Sequence, residues 1–239
     1  MLINLRNALM AGKRTPTAKD YVQDGLVAMW DGIENAGWGV HDASATTWKD
    51  LIGSANMALA NNGATYSWVD DALQVSQETS TSQTNVGVAS NAALNALLNA
   101  ASGFSVEVVS QKKSDFVSSP DRWIDSTTSH PFMIQSDRTN ARVGYYTGNN
   151  VNFLNATTDT TKVFYAALTQ NLSGGKVGYL IWRSFASNTS AYAVSFNSIV
   201  IPNRGGEKLR YCIRLYNRVL TADDISANYA IDKARFGLP

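Results

Sequence analysis

From Lys208 to Tyr216 the chain alternates residue by residue. Leu209, Tyr211, Ile213 and Leu215 fall on one side, and Lys208, Arg210, Cys212 and Arg214 on the other. A period of two is the repeat of a β-strand with one buried face, and a helix cannot sustain it. The same repeat runs through residues 104–108, where Phe104, Val106 and Val108 oppose Ser105 and Glu107. Gly25-Leu26-Val27-Ala28-Met29-Trp30-Asp31 reads as a first, fully buried strand. Further strands are predicted at 66–69, 72–76, 84–88, 131–135, 142–146, 151–154, 163–169, 176–184 and 191–201. With only 16% charged residues, the composition favours short strands and polar turns over helices laced with ion pairs. The chain therefore belongs to the all-β class.

Two stretches depart from that pattern. Leu94, Leu97, Leu98 and Ala101 stand at i, i+3, i+4 and i+7 and predict a short amphipathic helix closed by Gly103. At the C-terminus Thr221 and Asp224 have the spacing of a capping box, and Ile225, Tyr229 and Phe236 give the following helix an apolar stripe that Gly237 ends. Residues 1–24 read as an N-terminal arm and linker, and 25–239 as one domain. In the arm, Leu2, Ile3, Leu5, Leu9 and Met10 form an apolar side fit for docking on a partner, a second copy or the chain's own domain. That arm is the expected route to a homo-oligomer or a larger particle.

Charge and cysteine content exclude several functions. A formal net charge of +1 offers no broad basic field for nucleic acid. The single cysteine, Cys212, allows no intrachain disulfide and no cysteine zinc cluster. No apolar run approaches the ~18 residues of a membrane-spanning helix, so no membrane insertion is expected. Asn4, Arg6 and Asn7 interrupt the apolar run that a secretion signal needs. The expectation is a virion-associated or cytoplasmic protein, or a surface protein trimmed of its leader.

Three segments resemble the laminin-G-like, concanavalin A-like lectin and glucanase family. They are Gly25 to Trp30 with Trp48-Lys49-Asp50-Leu51-Ile52-Gly53 after it, Gly103 to Val109, and Ile213-Arg214-Leu215-Tyr216-Asn217-Arg218-Val219-Leu220-Thr221-Ala222-Asp223-Asp224-Ile225. The resemblance covers roughly residues 25 to 236 and implies a two-sheet antiparallel jelly-roll sandwich with short peripheral helices. Where the family often carries Ile-Asp-Glu before the closing strand, this chain reads Arg210-Tyr211-Cys212, so that acidic pair is missing.

Catalytic signatures are sparse. The four glutamates, Glu34, Glu78, Glu107 and Glu207, stand apart, and none belongs to the alternating acidic string of glucanases with this fold. His41 and His130 are the two histidines, and no serine sits in a nucleophile elbow. A hydrolase or lyase would have to build its site from loops, drawing on Asp121, Asp125 and Glu107. The oxygen-rich stretch from Asp121 to Ser129 could supply calcium ligands, but no spacing is diagnostic and no cofactor is assigned.

Sugar binding asks for flat aromatic faces beside planar hydrogen-bonding groups. Asp121, Arg122 and Trp123 form one such set; Arg142, Tyr145, Tyr146 and Asn149 form another; Trp38 stands in a glycine-rich loop. The functional expectation is a non-catalytic recognition module, carbohydrate-binding or adhesive, with a glycan or protein partner, or a structural part of a phage or cell-surface assembly. The alternative is a glycoside hydrolase or polysaccharide lyase of the same fold.

Overall fold

The computed structural model describes residues 15–76, 84–114, 121–126, 133–137, 140–147, 150–171, 176–180, 183–188 and 195–239. It is an all-β sandwich of two antiparallel sheets. The first sheet is built from β1 (Leu26–Asp31), β4 (Tyr66–Val69), β5 (Ala72–Val75), β7 (Gly103–Lys112), β12 (Phe164–Asn171), β13 (Lys176–Leu180), β14 (Arg183–Asn188) and β16 (Lys208–Tyr216). The second is built from β2 (Thr47–Trp48), β3 (Met57–Leu59), β6 (Asn85–Ala89), β8 (Asp121–Ser126), β9 (Met133–Asp137), β10 (Asn140–Thr147), β11 (Asn150–Asp159) and β15 (Ile199–Pro202). Helix α1 spans Ala92–Ala100 and α2 spans Ala222–Phe236.

The first sheet runs β14-β13-β12-β7-β16-β5-β4, with β1 also on β16. Strands β5 and β1 share one edge of β16: β5 pairs with Lys208–Arg210 and β1 with Cys212–Tyr216. The second runs β11-β10-β9-β8-β15-β6-β3-β2. Between the sheets Phe104, Val106, Val108, Phe164, Ala166, Leu168, Ile213 and Leu215 meet Met57, Val86, Trp123, Ile124, Ile134, Ile199 and Ile201. Two indole N–H groups of this core find carbonyls between strands and loops: Trp30 donates to Ala55 at 3.0 Å and Trp48 to Asp31 at 2.9 Å.

The expected alternation of β7 holds, but that of β16 breaks at its midpoint. Arg210 pairs with Ser110 and Cys212 with Val109, so Tyr211 and Cys212 together oppose one residue of β7. Such a bulge shifts the side-chain parity by one. Lys208 and Arg210 therefore turn inward with Ile213 and Leu215, while Tyr211, Cys212, Arg214 and Tyr216 turn outward. Arg210 ties the sheets together, donating from Nε to the Trp123 carbonyl at 2.7 Å and from Nη2 to those of Arg122 and Pro202 at 3.1 Å each.

The outward face is not solvated either. Helix α2 lies across it and forms a second apolar layer, in which Ile225, Tyr229 and Phe236 pack with Met29, Val109, Tyr165, Ala167 and Cys212. The predicted capping box is present: Thr221 Oγ1 accepts from the Asp224 amide at 3.2 Å, and Asp224 Oδ2 accepts from the Thr221 amide at 2.9 Å. In α1 only Leu94 and Leu98 are buried, and Leu97 is exposed, so its apolar stripe is narrower than expected.

Part of the stretch read as a linker packs on the sandwich. Ala18 and Tyr21 are buried in the layer beneath α2, Tyr21 donates to Asp232 at 2.6 Å, and the Val22 amide donates to Asn228 at 2.9 Å. The apolar arm residues Leu2, Ile3, Leu5, Leu9 and Met10 lie outside the described residues.

Candidate functional site

The sequence-selected aromatic and polar residues fall into two groups, and the structure adds a third. In the first, Trp38 stands at the tip of a tight turn between Ala36 and Val40. The Ala36 amide donates to the Val40 carbonyl at 3.1 Å, and the Val40 amide to the Gly37 carbonyl at 2.9 Å. Gly37 and Gly39 have φ of +129° and +70°, which side chains with a Cβ rarely adopt, and nothing lies within 4 Å of where a Cβ would stand on either. The tip is thus held by backbone geometry and open on its surroundings. Trp38 is 39% exposed and Val40 51% exposed. The other indoles whose burial is described, Trp30, Trp48, Trp68 and Trp123, are all buried.

The base of the turn is fixed by charge. Glu34 Oε2 accepts from the Gly39 amide at 2.8 Å, while its Oε1 lies 3.6 Å from Nη2 of Arg235. Arg235 also donates to Asp31 at 2.6 Å and to the Tyr21 hydroxyl at 3.1 Å. Asn35 and Asp42 close the loop reciprocally, at 2.9 and 2.7 Å. Beside the tip, the Lys19 ammonium lies 5.1 Å from the centroid of the Trp38 ring. Lys19 is placed there by the one-turn 3-10 helix Ala18–Asp20, whose buried Ala18 and following Tyr21 root it in the domain.

The second group lies on the second sheet. The pairing of β8, β9, β10 and β11 sets Arg122 opposite Gln135, Gln135 opposite Arg142, and Arg142 opposite Asn155, a single row across four strands. Two sets chosen from separate stretches of sequence thus meet on one sheet. Asp121 heads β8, Tyr145 and Tyr146 follow along β10, and Asn149 lies outside the described residues. Arg122 is buried and pairs with Asp125 at 3.1 Å. Trp123 does not suit the role expected of it. Its ring is wholly enclosed between the sheets and meets Phe164 edge-on, with centroids 4.9 Å apart, so it presents no face to a ligand.

The third group is a buried polar network that the sequence did not single out, beneath α2. Arg214 donates to Glu107 Oε2 at 2.6 Å and to both oxygens of Asp232, at 2.8 and 2.6 Å. Glu107 also accepts from the Tyr165 hydroxyl and, at 2.9 Å, from Asn228, which in turn donates to the Tyr216 hydroxyl. The Arg214 guanidinium lies 4.0 Å over the Tyr21 ring. Burial, with Asp232 adding to it, pushes the Tyr21 phenol well above its ordinary range. Burial and the Glu107 charge do the same to Tyr165 and Tyr216. Burial also raises Asp31, against the opposing pull of Arg235. The one hint in the sequence was two polar residues, Asn228 and Asp232, on the apolar side of a helix. Glu107 is enclosed and held by a cation, as is Asp125, so two of the three carboxylates considered for hydrolysis are committed internally.

A shallow polar cleft of about 200 Å³ at the end of β7 is lined by Gln111, Lys112, Lys113, Ser114 and Thr161. Among the described residues no three His, Cys, Asp or Glu side chains gather as a metal site, and no helix is long and apolar enough to cross a membrane.

No protein-family model and no curated protein sequence matches the chain. Solved structures do. The chain is similar to a Trypanosoma rangeli sialidase in complex with sialic acid, with 14% identity and a TM-score of 0.64 over 93% of this chain and 34% of that one. It is similar to botulinum neurotoxin type C, a toxin dependent upon interaction with two ganglioside molecules to enter cells, with 11% identity and a TM-score of 0.65 over 88% of this chain and 51% of that one. It is also similar to the binding domain of botulinum neurotoxin DC in complex with rat synaptotagmin II, with 13% identity and a TM-score of 0.64 over 88% and 52% of the two chains. The shared feature is a lectin-like β-sandwich. This chain spans about a third of the sialidase and about half of each toxin chain.

Proposed function

We propose that this chain is a non-catalytic carbohydrate-recognition module of the concanavalin A-like jelly-roll type, and that the Trp38 turn is part of its contact surface. The observation that carries the reading is a 39% exposed indole on a turn anchored by Glu34 and Arg235, in a domain that buries its other described indoles. Holding a large apolar ring in water has a cost that a ligand can relieve, and a pyranose offers the matching flat apolar face. Similar sandwiches occur in a sialidase solved with sialic acid, in a ganglioside-dependent toxin and in a toxin binding domain solved with rat synaptotagmin II, which supports glycan or protein partners. The enclosure of Glu107 and Asp125 favours recognition over hydrolysis.

A glycan array and a polysaccharide-hydrolysis screen, run on the wild type and on Trp38→Ala, test this. Binding without turnover is expected, with at least about a tenfold loss in the variant, equivalent to about 1.4 kcal/mol. Turnover of any polysaccharide overturns the non-catalytic reading, and unchanged binding by Trp38→Ala removes the turn from the site.

A further inference from the structure

The Trp38 turn has a neighbour that narrows the kind of saccharide it suits. Lys19 is exposed, and its ammonium stands over the Trp38 ring at 5.1 Å from the centroid. Among the described residues it forms no ion pair: Glu34 is occupied by Gly39 and Arg235, and Asp20 accepts from the amide and hydroxyl of Thr17. A lysine that only balanced local charge would be expected to turn to one of these carboxylates. Here it rests on an aromatic face instead, a contact that leaves the N–H donors turned away from the ring able to receive an anion.

Both members of the pair are held by one residue. Arg235 reaches the Trp38 turn through Glu34, at 3.6 Å, and the Lys19 turn through the Tyr21 hydroxyl, at 3.1 Å. Asp31 fixes Arg235 in turn, at 2.6 Å. The spacing between cation and indole is therefore set by a buried ion pair, although both groups are at the surface. Beside them the missing side chains of Gly37 and Gly39 leave open space.

Resting on the carbohydrate reading above, we infer that Lys19 and Trp38 together form a subsite for a carboxylate-bearing sugar. The sugar ring stacks on the indole and the carboxylate is received by the Lys19 ammonium. Lys19 is then the residue that separates acidic from neutral saccharides.

The experiment titrates the full chain with 3′-sialyllactose, a glucuronic acid disaccharide and lactose, following indole fluorescence and the Trp38 side-chain N–H resonance. That resonance is assigned by its loss in Trp38→Phe. At least about tenfold tighter binding of one or both acidic probes than of lactose is expected, weakening as salt is added. Lys19→Ala and Lys19→Glu should remove that preference by weakening the acidic probes far more than lactose, and Lys19→Arg should keep most of it. Unchanged thermal unfolding confirms that the variants fold. Equal binding of acidic and neutral probes, or a preference indifferent to Lys19, overturns the inference while leaving the carbohydrate reading in place. Absence of binding by all three probes overturns the inference, and the carbohydrate reading falls with it only if the glycan array is blank as well.

Discussion

Trp38 and Trp123 are the same side chain in opposite circumstances, and they should respond oppositely to truncation. Trp123 is enclosed between the sheets against Phe164, so Trp123→Ala leaves a cavity and should destabilise the fold by about 3–5 kcal/mol. Trp38 is 39% exposed and makes a single ring contact with a cation among the described residues, so Trp38→Ala should shift stability by no more than about 0.5 kcal/mol. Urea unfolding of both variants measures the difference. Comparable losses would mean that Trp38 is a packing residue and not part of a recognition surface. Trp38 lies between two glycines and Trp123 between Arg122 and Ile124, and the pairing of β8 within the sandwich is what encloses Trp123.

At the scale of elements, the junction that matters joins β7, β16 and α2. Arg214 from β16 is held between Glu107 of β7 and Asp232 of α2, with all three side chains almost fully enclosed. Charges placed so deep are costly unless each is matched, and removing the shared cation strands two carboxylates at once. Arg214→Met should therefore destabilise the protein by at least about 3–5 kcal/mol. The triple variant Arg214→Met, Glu107→Gln, Asp232→Asn should recover part of that loss, because neutral amides are less costly to enclose. Chemical denaturation of the two variants checks this, and a triple variant no more stable than Arg214→Met would show that packing, not charge, dominates the junction. Strand β1 is bulged at Val27 and β16 at Tyr211, and both strands face the layer beneath α2 on one side and the inner core on the other.

For the molecule as a whole, the layer beneath α2 sets the response to alkali. Of the 10 tyrosines, Tyr21, Tyr165 and Tyr216 are buried and have phenols raised well above the ordinary range, by burial first and then by Asp232 or Glu107. Each holds its proton more tightly in the fold than in the unfolded chain. The stability they contribute is complete below the unfolded phenol value, near pH 10, and is lost as pH rises beyond it toward the raised folded values. Phenolate absorbance followed against pH should show exposed tyrosines ionising first and these three only together with unfolding. Circular dichroism supplies the unfolding curve. Ionisation of all tyrosines in one smooth step before any loss of structure would contradict the closed network.

What the sequence by itself determined is what depends on near neighbours. The alternation in β7, the buried first strand and the capping box of Thr221 with Asp224 are set by spacings of two to four residues, and each is found where those spacings put it. The sequence put Lys208, Arg210, Cys212 and Arg214 on one polar face of β16, and the bulge divides them between two buried faces. Lys208, Arg210 and Arg214 look like residues meant for water, yet Arg210 bonds carbonyls of the opposite sheet and Arg214 meets a helix across the sheet. The bulge at Tyr211 arises from pairing with a strand about a hundred residues earlier, so no local period could reveal it. The pairing of Lys19 with Trp38 was equally hidden. It depends on Arg235, near the far end of the chain, reaching both turns at once, and only the closed tertiary structure brings those three segments together.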